Sequence, residues 1–538
     1  MASATQDFDT VSFRPALRPI RRVAGTVGIC LLLAGCVTQR ADVIISSDDA
    51  QTRDVMSQTI ELVATRYIDP IGREQIVVNA LDGLSTIDPN IRIGMTPDEI
   101  ILGYNGKTVR NLALPAADSE EQDTLLWTEL TLKGVGIYRV YSPDLRHADP
   151  LSVQSALVSG SIKNLDRYSR YEGPSQAETA RTRRDGYIGV GVRLIGGDGY
   201  PVIKKVHEDS PAAKAGLNIG DQLLSVNGIN LYNRTATYAS DLLHGEEGTR
   251  GSIEINGADS PVVTPVEIMR ERVIGRTVFA EIRDNILIAR IASFNSATAQ
   301  ALGDEILKAD LYPGGLRGVI LDLRGNRGGL LQQGVEVADL FIAGGPIANT
   351  RSRVMAARHI FKADAEDLTR GAPLVVLIDG RTASSAELVA AALQDRNRAV
   401  LIGSTSFGKG SVQAINDLSN KGTLTFTWSQ MTAPSGYTFD RIGLFPSICT
   451  TADGVGPDEQ IKSALAHRDD MVAVMTKWRK LDYQNEQARQ DLRKVCPARQ
   501  GIDENDIDIA LELIKNLPGY KDLAQLPINE IADTFASQ

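Results

Sequence analysis

The sequence predicts a multidomain α/β protein: a helical N-terminal region with a mixed α/β insert, a β-rich domain, an α/β core and a helical C-terminal tail. Three patterns predict it. Apolar residues recur at spacings of three and four over Val55 to Tyr67 and Leu151 to Leu165, the period of an amphipathic helix. Short strands, turns and one helix follow in quick succession from Gly186 to Val273. From Val278 to about Thr450, apolar strands alternate with helical segments, a pattern of crossover-connected strands. A length of 538 residues accommodates about three domains.

The N-terminus carries a processing signal. Arg14, Arg18, Arg21 and Arg22 precede an apolar run from Val23 to Leu33. That run is too short to span a bilayer and has the length of a signal-peptide core. It ends in Leu33-Ala34-Gly35-Cys36, which resembles a bacterial lipobox, where the chain is cut before a cysteine that receives lipid. The resemblance implies lipidation of Cys36, a membrane anchor and a periplasmic location. Val37 rather than Asp follows the cysteine, which in such lipoproteins points to the outer membrane. Of four cysteines, the resemblance implies that Cys30 would leave with the signal and Cys36 would be lipidated. Cys449 and Cys496 remain as a pair in an oxidising compartment, and a disulfide is expected between them.

Between the two N-terminal helical stretches, Ile91 to Tyr141 is expected to form the mixed insert. Thr96-Pro97-Asp98-Glu99 has the composition of a helix start, and Gly134 to Val140 that of a strand. The tail from Asp458 to Gln538 is charged and helical in pattern, with Pro497 as a break, and is expected to be a solvated helical bundle. It is also a candidate surface for oligomerisation or adaptor docking. The net charge of -10 comes with no dominant basic patch, so nucleic acid is not an expected partner.

In the β-rich region, Ser210-Pro211-Ala212-Ala213-Lys214-Ala215-Gly216 reads as a capped helix, with Ser at the N-cap, Pro first and Gly at the end. Gly220 to Gly228 is a strand ending in an Asn-Gly turn. The run Ser210 to Gly228 resembles a PDZ domain. That resemblance implies capture of a substrate's free C-terminus by strand addition beside a glycine-containing loop. The loop would be Tyr187, Ile188, Gly189 and Val190, continuing to Val192, with backbone N–H groups available to a terminal carboxylate.

The chemistry sits in two glycine-rich junctions of the core. Asp379 to Leu388 joins a strand to a helix and places Ser384 near a helix N-terminus, where N–H groups favour negative charge. Gly403 to Gln413 places Lys409 among glycines and apolar residues. Burial there would favour the neutral amine, which can take a proton from a serine hydroxyl. Bringing a lysine from about 10.4 to about 7 requires roughly 4–5 kcal/mol of imposed strain.

Thr382-Ala383-Ser384-Ser385-Ala386-Glu387, with Phe407-Gly408-Lys409-Gly410-Ser411-Val412-Gln413 25 residues on from Ser384 to Lys409, resembles the carboxyl-terminal processing peptidases, or tail-specific proteases. The resemblance implies Ser384 as nucleophile, Lys409 as general base and Gln413 as the residue that orients the lysine. Thr382, Ser385 and Ala386 vary from the family's usual Ser-Ala-Ser-Ala-Ser-Glu. Asp322 to Gly329 also matches a family motif. It implies an oxyanion hole made by the N–H of Ser385 with that of Gly328 or Gly329. Leu165-Asp166-Arg167-Tyr168-Ser169-Arg170-Tyr171 is similar to the family's Leu-Asp-Pro-His-Ser-x-Tyr, with Arg167 and Tyr168 as departures. Gly443-Leu444-Phe445-Pro446-Ser447 departs from the family's Gly-x-x-Pro-Asp. The resemblance spans about residues 150–450.

It further implies cleavage of envelope proteins and, in some members, adaptor lipoproteins as partners; a homo-oligomer formed through the tail is a candidate assembly. The segments are then 1–35 signal peptide, 36–184 N-terminal region, 185–274 PDZ domain, 275–455 protease core and 456–538 C-terminal region. Other chemistries fit less well. The run from Gly403 to Lys409 approaches a phosphate-binding loop, but Gly410 stands where a hydroxyl is required. His147, His207, His244, His359 and His467 are scattered and there is no Gly-x-Ser-x-Gly elbow motif, which argues against a His-dependent triad. The histidines show no metal-ligand spacing and neither Cys449 nor Cys496 has a nearby cysteine, so no metal and no cofactor are expected. The competing reading is a noncatalytic PDZ scaffold on an inactive protease body; the presence of Ser384, Lys409 and Gln413 argues against it.

Overall fold

A computed structural model describes residues 47–525 except 117, 118, 259, 365, 452, 453 and 483. Cys36 and the apolar run before it lie outside the described residues. Helices α1 (Ser47–Arg66) and α2 (Arg73–Gly83) precede a three-stranded antiparallel sheet, β1 (Ile91–Met95), β2 (Glu99–Tyr104) and β3 (Lys107–Ala113). Then come α3 (Glu120–Tyr141), α4 (Pro143–His147) and α5 (Pro150–Ile162). The α3 start is set by Ser119, whose Oγ accepts the Gln122 N–H, with Glu120, Glu121 and Asp123 in the first turn, where the helix dipole favours acids. Helices α2 and α5 touch backbone to backbone. A Cβ on Gly83 would sit 2.1 Å from Ala156 O, and one on Gly160 2.4 Å from Asn79 O. Only glycine permits that approach.

Two expectations fail here. Thr96 to Glu99 opens no helix; it is the turn between β1 and β2, with the Thr96 N–H donating to Glu99 O. Thr, Pro and Asp suit turns as well as helix caps, and the alternating Ile91/Ile93 and Ile100/Leu102 decide for strands. Gly134 to Val140 is not a strand but the last part of α3. Trp127, Thr131, Val135 and Tyr138 are all buried, a helical spacing whose packing overrides the β-branched residues locally.

After β4 (Arg170–Glu172) and α6 (Pro174–Asp185) comes the β-rich region. Its strands are β5 (Tyr187–Gly189), β6 (Val192–Ile195), β7 (Val202–Val206), β8 (Gln222–Val226), β9 (Ile229–Asn230), β10 (Arg250–Gly257), β11 (Ser260–Met269) and β12 (Glu271–Val273). Its helices are α7 (Pro211–Lys214) and α8 (Ala236–Leu243). The main sheet runs β11-β10-β8-β7-β6, with β9 on β8, so β6 is an edge strand. Val190, Leu194, Ile203, Leu223, Ile253 and Ile255 fill its core. Buried Arg270 ties down the end of α8 by donating to the carbonyls of Leu242 and Leu243 at 3.1 and 3.0 Å.

The core contains β13 (Val278–Arg283), β14 (Ile286–Ile291), α9 (Thr298–Asp310), β15 (Gly318–Asp322), α10 (Leu331–Asp339), β16 (Gly345–Arg351), β17 (Ile360–Ala363), β18 (Leu374–Ile378), α11 (Ser385–Asp395), β19 (Val400–Gly403), β20 (Ser411–Asp417), β21 (Thr423–Thr432) and β22 (Ile448–Cys449). Its main sheet runs β13-β14-β15-β18-β19-β22, parallel from β14 onward. A second sheet runs β17-β16-β21-β20, with β4 added on β21.

Helices α12 (Pro457–Ala466), α13 (Arg468–Lys480), α14 (Glu486–Arg493), α15 (Asn505–Lys515) and α16 (Leu517–Ala524) form the described tail. Strand residues such as Leu321, Val376 and Leu401 face the cluster with α9, α10 and α11. Their neighbours Ile320, Val375 and Val400 face Ile509, Ala510 and Leu513 of α15. Both faces of the parallel sheet are therefore covered, which is why its strands are continuously apolar. The tail is thus not a solvated bundle: α15 is a layer of the core. Buried Arg324 fixes it by pairing with Asp322 at 2.8 Å and Asp506 at 3.1 Å. Cys449 and Cys496 are disulfide-bonded, linking the β22 end of the core to the tail. The molecule is mixed α/β, with a β-rich region ahead of the core.

Candidate active site

Ser384 sits at a sharp turn between β18 and α11. Buried Asp379 organises the turn: its Oδ1 accepts the N–H groups of Gly325, Arg381 and Thr382 at 2.9, 3.0 and 2.9 Å. The Ala383 N–H donates to Asn326 O at 2.9 Å. Ser384 itself has φ +59° and ψ −122°, a strained conformation for a residue with a side chain, costing about 1–3 kcal/mol. Such an elbow presents the hydroxyl at the first turn of a helix. The neighbouring Ser385 is buried and donates its hydroxyl to Gly329 O at 3.1 Å. Its backbone N–H has no acceptor among the described residues.

Gly328 and Gly329 lie on the loop after β15. The Gly328 N–H donates to Asn326 Oδ1 at 2.8 Å. The Gly329 N–H has no acceptor among the described residues. Gly328 contributes closeness instead: at φ +91°, a Cβ there would stand 2.8 Å from Ser384 Cβ and 3.1 Å from Ser385 N. The two glycines, indistinguishable in the sequence, therefore differ in what they offer.

Lys409 lies on the loop between β19 and β20. That loop leads into a strand, not a helix. It is held by Glu387, a fully buried residue in the first turn of α11. Glu387 Oε1 accepts the Ser406 hydroxyl at 2.5 Å and the Gly408 N–H at 2.7 Å. Its Oε2 accepts the N–H groups of Ser384 at 3.0 Å and Lys409 at 2.8 Å. Burial pushes the Glu387 carboxyl up from the ordinary range, while these four donors pull it down. The sequence singled out Glu387 only as part of a motif and gave it no role. An acid three residues into an otherwise apolar helix was the available signal.

Burial lowers the Lys409 amine to about 8, with Arg170 adding repulsion and Glu387 opposing it. Its Nζ lies 4.8 Å from the centre of the Tyr168 ring, a position that favours the ammonium. Tyr168 is in turn held by Arg167, whose Nη2 donates to its hydroxyl at 2.6 Å. Gln413 donates its side-chain amide to Ser411 Oγ and Thr427 Oγ1 at 2.9 and 3.3 Å. Among the described residues it makes no hydrogen bond to Lys409, and none joins Ser384 Oγ to Lys409 Nζ.

One cavity of about 950 Å³ nevertheless gathers Ser384, Ser385, Lys409, Gln413, Gly328 and Gly329 on its wall. Tyr187, Ile188, Gly189 and Val190 are not on it. Tyr187–Gly189 pairs with β12 along one edge, in a two-stranded sheet. Val190 is buried and accepts from the Ala212 N–H. Next along the chain, β6 is an end strand of the main sheet, with one edge open. No group of three or more His, Cys, Asp or Glu fit to hold a metal occurs among the described residues.

Comparison with known proteins agrees with this layout. The peptidase family S41 model matches residues 285–450, and a PDZ domain model matches residues 202–256. The chain is 33% identical over 342 residues to the carboxy-terminal-processing protease of Bartonella bacilliformis, covering 63% of this chain and 78% of that one. It is 34% identical over 300 residues to the carboxy-terminal processing protease CtpA of Bacillus subtilis, covering 54% of this chain and 63% of that one. Among solved structures it is similar to a photosystem II D1 C-terminal processing protease, at 22% identity and a TM-score of 0.38, covering 73% of this chain and 92% of that one. The chain belongs to the carboxy-terminal processing proteases, PDZ-containing serine peptidases of family S41.

Proposed function

We propose that the chain cleaves envelope proteins by a Ser–Lys acyl-enzyme mechanism, with Ser384 as nucleophile and Lys409 as general base. The observation that carries this reading is the shared carboxylate. Glu387 anchors the backbone of both residues, on a strained elbow and a glycine-rich loop that open on one cavity.

Ser384 Oγ attacks the scissile carbonyl carbon and its proton passes to Lys409 Nζ. The N–H groups of Ser385 and Gly329 receive the oxyanion; Gly328 lets the loop come close enough. The C–N bond breaks as the amine takes the proton from the Lys409 ammonium. Lys409 then deprotonates a water, which attacks the ester, and the proton returns to Ser384 as the acid product leaves. Gln413, through its Oε1, accepts from the ammonium in the intermediate steps. Ser384 and Lys409 close to hydrogen-bonding distance when substrate fills the cavity, as catalytic contacts loose in free enzymes commonly do.

A substrate's free C-terminus pairs with the edge of β6, facing α8, in the mode of strand addition. The lipobox-like Leu33 to Cys36 supports a periplasmic enzyme on a lipid anchor, and Val37 favours the outer membrane. Mass spectrometry of the mature N-terminus tests that location: a chain that begins at a lipid-modified Cys36 is expected, and an unprocessed N-terminus contradicts it.

The cleavage reading is tested with an unstructured protein ending in apolar residues. Wild type is expected to cut it, and Ser384→Ala to bind it without cutting. Equal cleavage by both would return the chain to a scaffold role for this site.

A further inference from the structure

The cavity that holds Ser384 opposes the charge of the chain. The protein carries a net -10, yet Arg66, Arg170, Arg181, Arg183, Arg184 and Arg327 all line this cavity. Among the described residues Glu172 is the only carboxylate on the same wall. These arginines come from four separate places: the end of α1, β4, the last turns of α6, and the loop after β15. Surface composition alone would scatter them.

Three are already engaged. Arg170 pairs with Glu172 at 3.5 Å, Arg181 with Asp417 at 2.9 Å and Arg184 with Asp185 at 2.8 Å. The side chains of Arg66, Arg183 and Arg327 have no hydrogen-bond or ion-pair partner among the described residues, and all three residues are exposed. Arg327 immediately precedes Gly328 and Gly329, which places a cation beside the reacting centre. A cleft lined by one sign of charge concentrates its field in the cleft. A guanidinium fork fits a carboxylate better than it fits any other peptide group.

We propose that this cavity selects acidic substrate segments, with Arg66, Arg183 and Arg327 receiving Asp or Glu side chains that flank the scissile bond. This rests on the reading of Ser384 as nucleophile and adds a substrate class to it. The arginines act on binding in the cavity, separately from the C-terminus held at β6.

The test uses synthetic peptides with one common free C-terminus and flanks of Glu, Gln or Lys around one cleavable bond. A terminal carboxylate is the same in all three and cannot produce a difference. In wild type, kcat/KM for the Glu peptide is expected to exceed that for the Gln peptide by roughly fivefold to tenfold, carried by KM, with the Lys peptide slowest. The ratio is expected to shrink as salt rises. It is expected to fall to about one in Arg66→Gln/Arg183→Gln/Arg327→Gln and to persist in Arg66→Lys/Arg183→Lys/Arg327→Lys, which keeps the charge. Equal kcat/KM for the three peptides, or a preference that survives the glutamine variant, overturns the proposal. Failure of the nucleophile reading looks different: Ser384→Ala would then still cut the Gln peptide.

Discussion

Ser384 and Lys409 donate their backbone N–H groups to the same oxygen of Glu387, at 3.0 and 2.8 Å. The nucleophile's elbow and the base's loop are thereby referred to one buried atom. A second strap, the Phe407 N–H on Thr382 O at 2.9 Å, joins the same two segments. The relative position of hydroxyl and amine is thus set by backbone contacts, although the two side chains share no hydrogen bond in the free protein.

Removing that carboxylate is expected to loosen both residues. Glu387→Ala leaves four donors without an acceptor and is expected to lose about 2–4 kcal/mol in urea unfolding. Glu387→Gln keeps the shape but loses one accepting oxygen. It is expected to lower kcat more than tenfold with little change in KM, since substrate contacts are untouched. Unchanged kcat in Glu387→Gln would remove Glu387 as a positioning residue.

The half-buried Lys409 amine makes activity depend on pH. The neutral form is the base, so kcat/KM is expected to rise through about pH 8. Rates at constant ionic strength from mildly acid to alkaline pH check this; a flat profile speaks against Lys409 as base.

The same amine affects stability. Its native pKa of about 8 lies below that of an unfolded lysine at about 10.4. The unfolded chain therefore binds more protons between those values, and stability is expected to rise with pH across that window. Below about pH 8 the full burial penalty remains. Lys409→Met removes it and is expected to gain about 1–2 kcal/mol while abolishing cleavage. Urea unfolding of the two proteins at pH 7 reads both directions of the effect.

Gly328 is expected to tolerate no side chain. Alanine there would meet Ser384 Cβ at 2.8 Å and Ala383 O at 2.9 Å, at a φ of +91°. Gly328→Ala is expected to lower kcat by about a hundredfold or more through displacement of the elbow. Steady-state kinetics alongside circular dichroism separate this from misfolding.

The Cys449–Cys496 bond closes a separation of 47 residues between the core and its covering tail. Replacing both with serine is expected to destabilise by about 2–4 kcal/mol, read as a lower urea midpoint in the absence of reductant. An unchanged midpoint would mean that Arg324 and the α15 packing hold the tail unaided.

The core was legible because its signals are local. Runs such as Leu374 to Ile378 have no polar face, and Ser210-Pro211 caps its helix within four residues. The insert misled because Thr96-Pro97-Asp98 satisfies two local rules, and only pairing with distant residues chooses between them. Gly134 to Val140 misled for the converse reason, its helix being fixed by burial of Trp127 and Tyr138. The candidate residues Ser384, Lys409, Gln413 and the two glycines were legible as motifs. The difference between Gly328 and Gly329 was not, because it depends on Asn326 folding back on one N–H. The arginines of the cavity were invisible as a group, since Arg66 and Arg327 meet only through the fold. The open edge at β6 was likewise hidden, since pairing of Tyr187–Gly189 with β12 is a contact across some 80 residues of chain.

The most direct test of the Ser384–Lys409 pair is peptide mapping by mass spectrometry after treatment with a peptidyl ester that acylates the nucleophile, at pH 8, for wild type and Lys409→Ala. The account predicts one acyl group on the peptide containing Ser384, on its hydroxyl, and almost none in Lys409→Ala. Acylation at a different residue, or equal labelling of Ser384 in both proteins, would contradict it.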